Sequence, residues 1–263
     1  MLAREVVEAF RRNGLINFAA AIAFELMLAL VPFLLFLLAL LSFLDLGEVW
    51  RDDVAPEARS VLSGPAFRLV DDTVTTVLTE KQGWWLSAGL VLTLWEVSAA
   101  TRVTMTALDR MYGLGRRRSF MELLPRSIWL GIAMCVALVG AVAIARFLPL
   151  LVGELDGLVA AGFFVARWLA AAAVLGAGVA LVMHYGPATR RTLPWVTFGT
   201  VVVMAAWVAM SILFGVYVTY VASYASVFGH LATFFVLLLY VYASANAFLA
   251  GVQVDACVRE KAR

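Results

Sequence analysis

Three ionisable residues, Glu25, Glu96 and Arg102, stand inside long apolar runs of this sequence. A charge at the centre of a membrane helix costs roughly 2.5–3.5 kcal/mol on insertion scales, so each of these groups needs a partner, water or a ligand. Two interpretations follow. The residues either form a structural ion pair that holds helices together, or they line a water-filled cavity or substrate path. The choice depends on the helices that carry them.

The composition excludes an ordinary soluble domain. Apolar residues make up 63% of the 263 residues and charged residues only 14%, and the mean hydropathy is +0.93. A soluble domain is about half apolar and a quarter charged. The sequence therefore predicts an integral membrane protein that forms a single domain over residues 1–263.

Long apolar segments predict the membrane crossings. A spanning helix needs roughly 20 mostly apolar residues, and lipid offers no partner for free backbone groups. Continuous apolar runs, without the alternation typical of barrel strands, favour helices. The predicted fold is all-α with six transmembrane helices, at about 16–44, 84–108, 127–152, 161–185, 194–216 and 230–254.

The charges of the connecting segments predict the orientation. Basic residues concentrate in the N-terminal tail, in 109–126, in 186–193 and in the C-terminal tail, whereas 45–83 and 153–160 are acidic. Basic loops face the cytoplasm. Both termini are therefore predicted to be cytoplasmic.

Shorter amphipathic helices are expected outside the spans. An apolar face over 2–12 predicts a helix at the inner surface. Apolar stripes in 54–62 and 66–79 predict an outer cap within about 48–81, because a structureless loop of that length is rare. Ser119 and Glu122 have the spacing of a capping box, which predicts a short helix that ends before Pro125 and the third span.

The buried polar residues are predicted to collect in the inner half of the bundle. From the cytoplasmic end, Glu96 lies about 18 Å deep, Glu25 about 13 Å and Arg102 about 9 Å, at roughly 1.5 Å per residue. Glu25 is the natural candidate partner of Arg102, which shares a helical stripe with Ser98 and Thr106. For Asn246 and Gln253 the structural and functional interpretations are equally open. The candidate substrate or cavity residues are Glu25, Glu96, Arg102, Asp109, Asn246 and Gln253.

Motifs of established chemistry are missing from the sequence. It holds no HExxH, GxSxG or phosphate-loop pattern, so no catalytic residue, metal or cofactor is predicted. Membrane lipids are the expected partners, and nucleic acid is not. Arg116, Arg117 and Arg118 either serve only as a topology signal or contact anionic lipid headgroups.

Several stretches resemble the YihY/BrkB family of bacterial inner-membrane proteins, which carries the older label ribonuclease BN. They are Asn17–Phe24 with Leu30–Pro32, Leu94–Gly113 with Arg118–Phe120, and Ser223–Gly229 with Leu239–Tyr242 and Gly251–Gln253. The family usually has Asn at the position of Asp109 and Glu at that of Gln253. The resemblance implies a six-helix protein of the bacterial inner membrane, with a role in transport or envelope integrity.

Three functions remain after these observations. The first is transport or handling of a small or lipid-like substrate, including an anionic one, through an inner-half polar cavity. The second is a structural or scaffolding role, with a buried ion-pair layer that only specifies packing. The third is an enzyme, including a nuclease, which lacks a residue constellation to support it. The sequence favours the first.

Overall fold

The computed structural model describes residues 2–43, 48, 50, 52, 55–56, 59, 67–68, 71–72, 74–76, 83–114, 118–152, 157–188, 198–221 and 230–261. All regular structure in these ranges is helical, which confirms that the fold is all-α over the described residues. The long elements are α1 (Leu2–Arg12), α2 (Leu15–Phe43), α3 (Gly83–Met111), α4 (Phe120–Val152), α5 (Gly157–Tyr185), α6 (Phe198–Val221) and α7 (His230–Lys261).

Five of these helices are long and apolar enough to cross a membrane. They are α2, α4, α5, α6 and α7, judged over the described residues. The helix α3 has 29 residues and spans about 44 Å, which is long enough. It carries Glu96, Arg102, Asp109 and Arg110 and so is less apolar than the others. That α3 also crosses, giving six spans, stays a prediction.

Neighbouring helices pack antiparallel, since residues further along one helix contact residues earlier in its neighbour. The pairs in contact include α2 with α3, α3 with α4, α4 with α5, and α7 with both α6 and α2. Between α6 and α7, Trp207 Nε1 donates a hydrogen bond of 2.9 Å to the Ser244 carbonyl, and the Ser211 and Tyr240 hydroxyls lie 3.1 Å apart. The chain therefore forms one bundle of antiparallel helices.

The packed core lies at one end of this bundle. We call it the basic end. It is the end where α2, α4 and α6 begin and α3, α5 and α7 finish, and it carries Arg11, Arg12, Arg110, Arg118 and Arg126. Elsewhere, large apolar side chains point outward, as expected for a surface in lipid. The buried core consists of Leu15, Ala19, Ile22, Ala107, Leu108, Met111, Val179, Val182, Met183, Val203, Ala245, Phe248, Leu249 and Val252.

Two helix ends differ most from the sequence prediction. The prediction of a short helix that ends before Pro125 is wrong, because α4 runs unbroken from Phe120 to Val152. Pro125 lies in its second turn, where the missing N–H costs one hydrogen bond near a terminus that already lacks several. The capping prediction is confirmed, since Glu122 N donates to Ser119 Oγ over 3.3 Å. The last helix continues past the predicted residue 254 to Lys261.

The N-terminal amphipathic helix is present as α1 and packs against α7 and α2. Most of the predicted outer cap lies outside the described residues, as do residues 194–197 of the fifth span. Those cap residues that are described are helical, and Trp50 Nε1 donates to Asp71 Oδ1 over 3.0 Å. The cap as a whole stays a prediction.

Candidate functional site

The Arg102 guanidinium is held between two aromatic rings. Its Cζ lies 5.6 Å from the ring centroid of Trp95 and 5.2 Å from that of Phe120, distances at which a cation is attracted to a ring face. Its Nη1 donates a hydrogen bond of 2.6 Å to Ser98 Oγ, one helical turn away. Arg102 is half-buried, whereas Trp95 and Phe120 are about half exposed, at 51% and 50%.

Ser98 connects this arginine to α4. Its hydroxyl lies 2.7 Å from that of Ser127, and Ser127 in turn donates to the Leu124 carbonyl over 2.9 Å. Since the Ser127 proton points to Leu124, Ser98 is the donor to Ser127 and the acceptor from Arg102. Both serines are almost completely buried. These hydrogen bonds fix the position of the Arg102 guanidinium relative to α3 and α4.

Glu25 and Glu96 bring two carboxyl groups together on α2 and α3. Their side chains lie close enough to interact, and Arg102 acts on Glu25 by electrostatic attraction. Glu25 thus interacts with Glu96 as well as with Arg102, the partner that the sequence predicted. Two carboxyl groups this close repel when both are charged, so the pair is suited to share a proton or to meet a cation. Glu25, Glu96 and Arg102 form what we call the polar group.

The polar group lies toward the basic end of the bundle. The Arg102 guanidinium contacts Phe120, the first residue of α4, whose opening turns also carry Glu122 and Arg126. Arg102 is therefore level with the charged start of a neighbouring helix, although its own helix is apolar around it. At such a level a guanidinium meets less of the cost that the middle of the bilayer would impose.

Asp109 lies outside the polar group, in a separate set of hydrogen bonds at the end of α3. Its Oδ2 accepts two hydrogen bonds from Arg118, from Nε over 3.0 Å and from Nη2 over 2.5 Å, and its Oδ1 accepts one of 2.7 Å from Ala188 N. Arg118 Nη2 also donates to the Gly186 carbonyl over 2.8 Å. This junction ties the end of α3 to the start of α4 and to the turn after α5.

The two amides are also separate from the polar group. Gln253 is buried, and its Oε1 accepts a hydrogen bond of 3.0 Å from Asn13 Nδ2, which links the turn after α1 to α7. Asn246 donates to the carbonyl of Tyr242 on its own helix over 2.9 Å. The six candidates thus divide among the polar group, the Asp109 junction and two sites on α7.

Sequence reasoning did not single out Asp255, which is almost fully buried near the end of α7. Its Oδ2 lies 3.4 Å from the Tyr112 hydroxyl and its Oδ1 lies 3.4 Å from Gly199 N, in the first turn of α6. A Cβ at Gly199 would come within 2.5 Å of Asp255 Cβ, so the close approach needs glycine. The sequence prediction ended the last span at residue 254 and so left Asp255 outside it.

The described part of the chain contains no group of three or more His, Cys, Asp or Glu side chains that could hold a metal ion. What the polar group can do is bind charge. Arg102 offers donors to an anion, and the two carboxyl groups offer acceptors to a proton or cation. The antiparallel apolar helices that hold them make this chain an integral membrane protein of the α-helical class.

Comparison with known proteins gives the family. A family model described as virulence factor BrkB matches residues 6–263. The chain therefore belongs to the BrkB family, and the resemblance drawn from its residues is confirmed. It is 27% identical over 253 residues to a ribonuclease-like protein, YfkH, of Bacillus subtilis (strain 168), covering 92% of this chain and 90% of the relative. No solved structure matches the chain.

Proposed function

We propose that this protein transports or handles a small or lipid-like anionic substrate in the bacterial inner membrane, and that the polar group forms its binding site. The observation that carries the proposal is the environment of Arg102. A buried guanidinium stays charged and must find an anion or water. Here it lies against two rings and donates a hydrogen bond to Ser98, while Glu25, which attracts it, also interacts with Glu96.

The chemistry of the surroundings favours a substrate with an acidic head and an apolar body. The donors of Arg102 would meet a phosphate or carboxylate. Exposed Trp95 and Phe120 would cover apolar chains beside it. The carboxyl pair one to two turns away supplies a group that can take up a proton as an anion arrives. The three elements together fit a phospholipid-like anion better than a neutral solute.

Reconstitution tests this class of substrate. The purified protein is placed in liposomes that contain a trace of phosphatidylglycerol or phosphatidylcholine with a fluorophore on one acyl chain, and a membrane-impermeant reductant bleaches the outer leaflet. We expect the protein to expose phosphatidylglycerol from the inner leaflet faster than protein-free liposomes do, with phosphatidylcholine moved less. Equal rates with and without protein for both lipids would contradict the lipid-like substrate.

A structural or scaffolding role is the second candidate. It is favoured by the number of polar side chains that join helices, with Asp109, Gln253 and Asp255 all committed to such contacts. In that case the polar group would only hold α2, α3 and α4 together. Its replacement by apolar residues would then leave the protein folded and every measured activity unchanged.

The proposal includes no ribonuclease activity, although the Bacillus relative is named ribonuclease-like. Cleavage of a phosphodiester needs a positioned base or metal-bound water next to an exposed RNA-binding surface. The polar group offers no exposed binding surface to a long polyanion, since its residues are half-buried between helices. We expect the purified protein to leave a labelled single-stranded RNA intact during prolonged incubation with Mg²⁺ or Zn²⁺. Cleavage that disappears in Arg102→Gln would overturn this.

A further inference from the structure

A second polar site lies at the basic end, apart from the polar group. A cavity of about 280 Å³ opens there between the start of α4 and the turn after α5. Among the described residues, its lining is formed by Arg118, Glu122, Arg126 and Ala188. None of them belongs to the polar group, so the inference below stands whether or not the proposed function is right.

Arg118 is the most unusual residue of this cavity. Its side chain is only 3% exposed and its Nε and Nη2 are bound to Asp109 and Gly186. Its third nitrogen, Nη1, is buried without a hydrogen-bonding partner among the described residues. Buried donors of a charged group are normally satisfied, and such an exception points to an ion or ligand that is not seen. Arg118 also lines the cavity, so a ligand bound there would lie beside this guanidinium.

The charges around the cavity define the ligand. Arg126 places a second guanidinium on the lining, and its own side chain is exposed. The first turn of α4, capped by Ser119, adds the positive end of the helix dipole. Glu122 is the one opposing charge among the lining residues that the structure describes. Two guanidinium groups beside a helix start are a recurrent way to hold a phosphate.

We propose that this cavity binds a phosphate group, carried either by inorganic phosphate or by the headgroup of an anionic lipid. Arg118 Nη1 and Arg126 donate to the phosphate oxygens, and Asp109 holds Arg118 in place. Sequence alone left a topology signal or an anionic lipid contact open for the whole run Arg116–Arg118. Of these three residues the structure describes Arg118, whose guanidinium lines a defined space together with Arg126.

Variants of the exposed lining residues test the site without disturbing the buried junction. The dissociation constant for inorganic phosphate is measured by titration calorimetry on the full chain in uncharged detergent, at constant ionic strength. We expect Arg126→Gln to weaken binding at least tenfold and Glu122→Gln to strengthen it, because the opposing charge is removed. Arg12→Gln, which removes an exposed arginine at the same end but outside the cavity, is the matched control and should leave the constant unchanged.

A second experiment distinguishes inorganic phosphate from a lipid headgroup as the source of the bound phosphate. Native mass spectrometry counts the lipids retained by the protein after exposure to equal amounts of phosphatidic acid and phosphatidylcholine. Selective retention of phosphatidic acid that is lost in Arg126→Gln, without binding of inorganic phosphate, assigns the site to a headgroup. Binding of inorganic phosphate with the expected order of variants assigns it to the free ion. If neither ligand binds, or if Arg12→Gln weakens binding as much as Arg126→Gln, the proposal is overturned.

Discussion

Arg118 and Asp109 form a buried ion pair across nine residues of chain, with Nη2 2.5 Å from Oδ2 and side chains only 3% and 12% exposed. Asp109 also accepts the Ala188 N–H, so one carboxylate joins the end of α3, the start of α4 and the turn after α5. The turn fits closely, since a Cβ at Gly186 would come within 2.7 Å of Leu108 Cδ1. The pair organises the basic end of the bundle.

We expect Asp109→Ala to destabilise the protein by about 3–5 kcal/mol, because it leaves the Arg118 charge buried without its partner. Asp109→Asn should cost less, since the amide oxygen still accepts either from Ala188 or from Arg118. Thermal or chemical unfolding in detergent, followed by circular dichroism, measures both. Equal stability of wild type and Asp109→Ala would show that the pair does not hold the junction.

The hydrogen bond between Asn13 and Gln253 should also contribute to stability. Asn13→Ala leaves the buried Gln253 oxygen without this donor, which we expect to cost about 1–3 kcal/mol. The control is Glu8→Ala, which breaks the exposed pair with Arg4, with side chains 65% and 87% exposed, and should cost about 0.5 kcal/mol or less. If both variants unfold at the same temperature, the link between the two ends of the chain is energetically unimportant.

The topology is tested by cysteine labelling. In a background without Cys135 and Cys257, single cysteines at Asp72 and at Arg117 should react with an impermeant maleimide from opposite sides, with Arg117 accessible only from the cytoplasm. The bond from Asn13 to Gln253 holds the two ends of the chain at the same end of the bundle, as an even number of crossings requires. Labelling of both positions from one side would rule out six crossings.

The role of Glu25 is tested by a mutant cycle with Arg102. If the two formed a structural pair, each single substitution to leucine would destabilise the protein and the double substitution would restore most of the loss. Because Arg102 is held by Ser98 and by the rings of Trp95 and Phe120, we expect its coupling energy with Glu25 to be below about 0.5 kcal/mol, the range of nearly independent sites. Unfolding of wild type, both single variants and the double variant in detergent gives this energy. Full rescue by the double variant would argue for the structural role.

The sequence predicted contacts between residues close together in the chain better than contacts between residues far apart in the chain. The bond between Arg102 and Ser98 follows from helical spacing, and the long helices follow from continuous apolar runs. The bond between Asp109 and Arg118 crosses a loop that periodicity does not describe, so the sequence placed Arg118 only in a basic run that serves as a topology signal or contacts lipid headgroups. Estimated depths brought Glu25 near Arg102, yet depth carries no information about which face of α2 meets α3. Contact with Glu96 therefore needed the structure.

The account rests on Arg102 as the residue that meets the substrate, and one comparison tests it most directly. The rate of phosphatidylglycerol movement is measured in liposomes with equal amounts of wild type, Arg102→Gln and Arg110→Gln. Arg110 is an exposed arginine on the same helix that lies over the Phe18 ring, so its replacement controls for lost surface charge. We expect the rate to fall at least tenfold in Arg102→Gln, with an unchanged unfolding temperature, and to stay at the wild-type value in Arg110→Gln. A wild-type rate in Arg102→Gln would contradict the account.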